Sequence, residues 1–417
     1  MKPAGAQKSS YSRAMSCSTG RFACSGGKRS ERETGCASAE WNMFVTELGF
    51  ENFRNLENAA ISPCGGINVI YGENAQGKTN LLEALWLFTG GHSFRGAKDS
   101  ELPRIDLTTK LSTGYFRLKL NFYSSDRDQT VQLQYTAGKK SSVINGVEKK
   151  MASALIGKVC AVVFSPEHLL LVKEGPSRRR NFVDGAICQI KPNYAKTLSL
   201  YNRSLSQRNA LLKDIGRHSE LQDTLDIWDA RLIRFGVQVM EERRPYIEKL
   251  KEKITGIYSG ISKEREQIEL TYQTSLKAEG QLTLPEREEF FQKELNRQRG
   301  TDIRSGFTSV GPHRDDLLIE INGMSARMYG SQGQQRSAVL SLKLAESEIL
   351  TESTGETPLI LLDDVMSELD AGRQDYLLNH LHDRQVFITC CDPQSISLME
   401  QGKRFLVESG TIQSFEV

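Results

Sequence analysis

Gly72-Glu73-Asn74-Ala75-Gln76-Gly77-Lys78-Thr79 is the stretch that decides the fold. It is a complete G-x-x-x-x-G-K-[ST] loop, set between an apolar run, Ile67 to Tyr71, and a helical pattern, Asn80 to Phe88. The glycines let backbone N–H groups of the loop turn inward around phosphate oxygens. The helix N-terminus behind them adds positive potential. On this reading all eight residues, Gly72, Glu73, Asn74, Ala75, Gln76, Gly77, Lys78 and Thr79, cradle a nucleotide. Lys78 reaches the β- and γ-phosphates and the Thr79 hydroxyl ligates Mg²⁺, so ATP with Mg²⁺ is the expected ligand.

Working outward, Leu359-Ile360-Leu361-Leu362-Asp363-Asp364 supplies the partner strand, about 285 residues further on. Asp363 at its tip is expected to hold the metal, and Asp364 to polarise the attacking water. So long a separation, with helical sequence between, is foreign to a small GTPase or a nucleoside kinase. Some thirty residues before that strand, Ser331-Gln332-Gly333-Gln334 opens a helix running to Leu350. A Ser-x-Gly-Gln turn in this place resembles the signature motif of ABC ATPases. There the serine hydroxyl and the glycine N–H meet a γ-phosphate bound on the opposite subunit, again at a helix N-terminus. The same serine reads equally as an ordinary helix cap. Ser367-Glu368-Leu369-Asp370 follows as a D-loop. Asn52-Phe53-Arg54-Asn55, about twenty residues ahead of the P-loop, adds Arg54 and Asn55 as candidate nucleotide contacts.

The rest of the chain sorts around these motifs. Its 417 residues are 38% hydrophobic and 25% charged, ordinary for a protein with a real core. No run reaches the roughly 18 apolar residues of a membrane span, so no membrane partner is expected. Residues 1–42 are rich in Ser, Gly and Ala without apolar periodicity and read as a disordered extension. Met43, which opens directly into a strand, reads as the natural start. The extension carries net charge +4 and the whole chain +2, which leaves the body slightly acidic. Any nucleic-acid contact must then come from a local patch. Eight scattered cysteines form no C-x-x-C pair, which argues against zinc and fits a reducing cytoplasm.

Strand patterns occupy Phe116–Phe122 and Val131–Tyr135, with a turn at Asn145-Gly146, and strand signal returns at Val159–Phe164. Helical patterns run over Tyr194–Lys213 and Asp223–Thr255, the second with a kink or break expected at Pro245. A hairpin at Asn322-Gly323, a helix near Asp370–Leu381 and a final strand at Gln385–Thr389 complete the pattern. The expected architecture is an α/β ABC/SMC-type P-loop ATPase head with an inserted helical lobe. Residues 43–190 and 301–417 form the head, and 191–300 the helical arm.

Together with the nucleotide motifs, six stretches carry a resemblance to the RecF family of bacterial recombination-mediator ATPases. They are Glu73 to Glu83, Ser93-Phe94-Arg95, Phe164-Ser165-Pro166-Glu167, Gly175-Pro176-Ser177-Arg178-Arg179, Gly311-Pro312-His313-Arg314-Asp315-Asp316, and Asp363 to Asp370. The likeness runs from Met43 nearly to the C-terminus, and an Asp rather than a Glu at 364 is part of it. It implies slow ATP hydrolysis used as a switch, an ATP-dependent homodimer, and binding of single-stranded and gapped double-stranded DNA. It also implies work with RecR and RecO to load RecA, and roles in replication and the SOS response. Arg95 would take the place of the cis arginine of SMC-like heads, and Ser165 to Glu167 the Q-loop. The chain departs from the ABC pattern after the last strand. Thr389-Cys390-Cys391 stands where many such proteins carry a histidine near the γ-phosphate.

Two other classes share some of these motifs. A transporter-type ABC subunit would not carry about 110 residues of helical arm at this point. An ATPase–nuclease would need a catalytic domain after Asp364, where about fifty residues remain. Among the basic clusters, Arg178-Arg179-Arg180 is expected to be structural or to lie at an interface near the nucleotide. The arm's Arg243-Arg244, Lys249, Lys251 and Lys253 are equally a solvated face or a DNA patch.

Overall fold

A computed structural model describes residues 43–105, 109–277, 282–391 and 402–416. The reading of 1–42 lies outside these residues. The P-loop strand, Ile67–Tyr71, sits inside a six-stranded sheet whose spatial order is 411–416, 403–408, 67–71, 386–390, 359–363, 161–164. The five strands from 403–408 to 161–164 run parallel, and the 411–416 strand pairs antiparallel at the edge. Their side chains alternate between two hydrophobic cores. Val69, Val162, Ile360, Leu362, Val386 and Ile388 join one core. Ile70, Ala161, Val163, Leu359, Leu361 and Phe387 join the other. A parallel sheet covered on both faces reads as a continuous apolar run, which is why Leu359–Leu362 shows no polar alternation.

One face is covered by the helix Lys78–Leu87 and by a six-stranded antiparallel sheet whose longest members are Met43–Glu51, Tyr115–Ser124 and Arg127–Thr136. Buried Gln385 ties this sheet to the parallel one, accepting from Val45 N at 2.7 Å and donating to Val45 O at 2.9 Å. The other face carries the signature helix Gln332–Thr354 and the helices of the arm. These are Pro192–Ile215, Leu225–Ser262 and Leu284–Ser305, with Pro176–Ile190, which precedes the segment read as the arm, packed beside them.

Three expectations need correction. Of the kink or break expected at Pro245, the break does not occur, because Leu225–Ser262 is a single 38-residue helix. Proline removes one N–H donor, but Met240, Tyr246, Ile247 and Leu250 around it are buried in the core, and packing holds the helix through the gap. The segment read as all helical contains a strand, Ile268–Gln273, paired antiparallel with Asp316–Ile321. Nor is the strand after Gln385 the last one, since Lys403–Glu408 and Thr411–Glu416 form a further hairpin.

The Gly311–Asp316 stretch is a joint where the helices Pro176–Ile190, Pro192–Ile215 and Leu225–Ser262 meet the strand Asp316–Ile321. Arg179 binds Asp316 through two nitrogens at 2.7 and 3.0 Å, and Arg180 donates to Asp315 O at 2.8 Å. Arg243 clamps Asp184 with both bonds at 2.8 Å and reaches Pro312 O. Arg179, Arg180 and Arg243 therefore serve this joint, while Arg178 pairs with exposed Glu174. His313 is held between Tyr201 OH at 2.6 Å and Thr308 O at 3.0 Å.

Candidate nucleotide site

Parallel strands place their carboxyl ends together, and ligands of open α/β sheets gather there. In this sheet Tyr71 pairs with Cys390 and Asp363 with Thr389, so the P-loop, the acidic pair and the end of the 386–390 strand meet at one edge. The loop itself depends on glycine. Gly72 has φ +145°, and a Cβ there would lie 2.3 Å from Val407 O. Gly77 has φ +117°, with the Asn55 side-chain oxygen 2.6 Å from the same imagined atom. The loop is thus wrapped by the C-terminal hairpin on one side and by Asn55 on the other. Ser409 N donates to Gln76 Oε1 at 2.5 Å. Asn55 Nδ2 donates to Gln76 O at 3.0 Å, and its oxygen accepts from Asn80 Nδ2.

Lys78 is buried. Its Nζ donates to Gly72 O at 2.6 Å and Glu73 O at 2.8 Å, and lies 3.7 Å from Cys391 Sγ. The ammonium is thereby held at the loop, where a phosphate can replace the carbonyls as its partner. Cys391 Sγ also donates to Asn74 Oδ1 at 3.2 Å, so this thiol stands beside the P-loop at the position where a histidine was looked for.

Two hydroxyls converge on one oxygen of Asp363. Thr79 Oγ1 donates to Oδ1 at 2.8 Å and Thr389 Oγ1 at 2.9 Å. Burial pushes the Asp363 carboxyl above its ordinary range, and these two bonds and the nearby Arg95 pull it back. A hydroxyl next to a carboxylate is the hard-oxygen pair that Mg²⁺ takes when phosphates complete its shell, so Thr79 and Asp363 fit the role expected of them. Asp364 is exposed and sits in the left-handed region at φ +53°. Its N–H donates to Thr389 Oγ1 at 2.9 Å, and one carboxylate oxygen accepts from Ser367 Oγ at 3.2 Å.

Arg95 Nη1 donates to Asn80 Oδ1 at 3.0 Å, which sets it over the start of the P-loop helix. Arg54 is engaged differently. Its guanidinium grips buried Glu83 at 2.8 and 2.9 Å, a carboxylate that Ser93 also binds. In this state Arg54 braces the P-loop helix from its side.

The signature turn lies apart from these groups. Ser331 Oγ accepts from Gln334 N at 3.2 Å and Gln334 Oε1 accepts from Ser331 N at 2.8 Å, a reciprocal capping box. The geometry is that of the helix cap, with Ser331 exposed at the helix start. Gln334 Nε2 reaches Glu266 at 2.7 Å, at the end of the long arm helix. Arg336 donates to Glu368 O at 2.8 Å, and Arg373 joins Asp370, Ser337 Oγ and Gly333 O. Signature turn and D-loop are thus fastened together as one surface. Among the described residues, no hydrogen bond links that surface's Ser331, Gly333 or Gln334 to the P-loop.

Sequence reading missed Thr389, Glu83, Arg373 and the 409–410 turn as members of the site. Only the register Asp363–Thr389 singles out the first, because a threonine at a strand end is commonplace.

Comparison with known proteins shows the family and the fold. Residues 44–413 match the RecF/RecN/SMC N-terminal domain. The chain is 42% identical to the DNA replication and repair protein RecF of Acetivibrio thermocellus, over 84% of this chain and 94% of that one. It is 39% identical to that of Ruminiclostridium cellulolyticum, over 89% of this chain and all of that one. Among solved structures, the recombination mediator protein RecF with ATP, of the RecFOR pathway, superposes with TM-score 0.82 at 39% identity. That match covers 90% of this chain and 98% of that one. An SMC head domain from Pyrococcus furiosus, 16% identical with TM-score 0.52, covers 90% and 96% and shares the fold.

Proposed function

The chain belongs to the RecF family of DNA replication and repair proteins, and from that premise we propose that it is an ATP-switched DNA-binding protein of recombinational repair. The observation that carries this reading is the division of the site into two surfaces. The P-loop, Asp363 and Asp364 form a phosphate-side half, which Ser367 at the start of the D-loop touches through Asp364, while exposed Ser331 with Gly333 and Gln334 forms a half whose hydrogen bonds go to its own helix, to Glu266 and to Arg373. Each half fits the other's missing part if two chains meet face to face.

In that arrangement Lys78 and the loop N–H groups hold the phosphates of ATP, with Arg95 beside them. Thr79 and Asp363 hold Mg²⁺, which neutralises phosphate charge when bound. Asp364 orients water towards the γ-phosphate, and Ser331 and Gly333 of the second chain close the pocket. Hydrolysis is slow and resets a switch. The ATP-bound homodimer binds single-stranded and gapped double-stranded DNA and, with RecR and RecO, helps load RecA in the cytoplasm during replication and the SOS response.

No helix of the described residues is long and apolar enough to cross a membrane. Gapped-duplex binding measured with ATP, with ADP and without nucleotide tests the reading. ATP should tighten binding well beyond ADP, because two joined patches bind far better than one. Equal binding in all three conditions would contradict it.

A further inference from the structure

Thr389 is 1% exposed and lies between the two acids on which the proposed hydrolysis depends. Its register partner is Asp363, on the neighbouring parallel strand. A hydroxyl has one proton to give and lone pairs to receive with. Here the proton goes to Asp363 Oδ1 at 2.9 Å, its other acceptor, Leu362 O, being farther off at 3.5 Å. The lone pair receives the Asp364 N–H at 2.9 Å. One oxygen thus fixes the side chain of the first acid and the backbone of the second.

The second contact matters most, because Asp364 occupies a left-handed backbone conformation that non-glycine residues seldom adopt. Something must hold the peptide there, and the Thr389 hydroxyl accepts the very N–H that the turn directs inward. Ser367 steadies the same residue from outside, at its carboxylate and its carbonyl. The β-branched side chain of threonine restricts χ1, so the hydroxyl is aimed before any ligand arrives.

We propose that Thr389 is the positioning residue that sets Asp363 and Asp364 in register for hydrolysis, acting from the strand end where many ABC ATPases carry a histidine. It rests on the ATPase reading above and adds to it an uncharged member whose hydroxyl is taken up by the two acids. Thr389→Val keeps the shape and removes both hydrogen bonds, while Thr389→Ser keeps both and removes a methyl group.

The test measures ATP affinity by nucleotide titration and steady-state turnover for both variants, with Asp364→Asn as the reference. Thr389→Val should bind ATP within about threefold of the parent while kcat falls by roughly 30-fold, since positioning and not phosphate binding is lost. Thr389→Ser should recover most of the rate. Parental turnover in Thr389→Val, serine as slow as valine, or loss of ATP binding in Thr389→Val would each overturn the assignment. Parental turnover in Asp364→Asn would instead overturn the role given to Asp364, and absence of ATP turnover in the parent would overturn the ATPase reading on which the assignment rests.

Discussion

The division of labour among single residues yields two distinct substitution phenotypes. Lys78 brings a buried ammonium to the mouth of the P-loop, held there by Gly72 O and Glu73 O. Lys78→Ala should weaken ATP binding by two orders of magnitude or so, because a charge-assisted contact to the β- and γ-phosphates is lost from a buried position. Nucleotide titration on the folded variant checks this, and unchanged affinity would contradict the loop's assignment. Asp364→Asn should leave affinity near the parent's and lower turnover by roughly 10²-fold, since only the water-orienting carboxylate changes. Single-turnover hydrolysis separates the two effects. At this scale the P-loop was fully legible, because its chemistry is carried by backbone and glycine at fixed spacing in eight contiguous residues. Arg54 was legible as important but not in its partner, since nothing in Asn52–Asn55 announces that Glu83, on the helix beyond the P-loop, would take its guanidinium.

At the scale of elements, the parallel strands and the signature helix could be read from apolar runs and a capping box. What escaped was set by packing. Pro245 looked like a break, but the helix continues because its apolar side chains lie within the core. Ile268–Gln273 alternates as a strand should, yet it borders the long helix and was absorbed into the arm. The joint through Gly311–Asp316 depends on partners as far as 137 residues away, which no local pattern reveals. It also carries a pH signature. Burial, reinforced by the cations of Arg314, Arg180 and Arg208, holds His313 down at about 4, below its ordinary value of 6.5. The unfolded chain therefore binds the extra proton more readily than the folded one. The stability contributed by neutral His313 is complete above pH 6.5 and is lost as pH falls through 4. Thermal melts should show the parent losing stability across that window, and His313→Gln losing less. Parallel profiles for the two proteins would contradict a buried neutral imidazole at the joint.

For the whole molecule, the account turns on two chains completing each other's sites. Ser331, Gly333 and the D-loop are fastened to the arm end through Gln334–Glu266 and to each other through Arg336 and Arg373. That surface should therefore meet a partner as a unit. Its pairing with a P-loop on another chain is proposed from resemblance, because in a composite site each half would look like an ordinary loop. The most direct measurement is the size of Ser331→Arg in solution with ATP, against the parent with ATP and with ADP. The account predicts that the variant binds ATP through its own Lys78 and Thr79 but stays a monomer, with hydrolysis falling alongside. Mixing it with Lys78→Ala, which leaves one of two composite sites intact, should restore part of the activity. If Ser331→Arg dimerises with ATP as the parent does, the face-to-face arrangement is wrong for this chain.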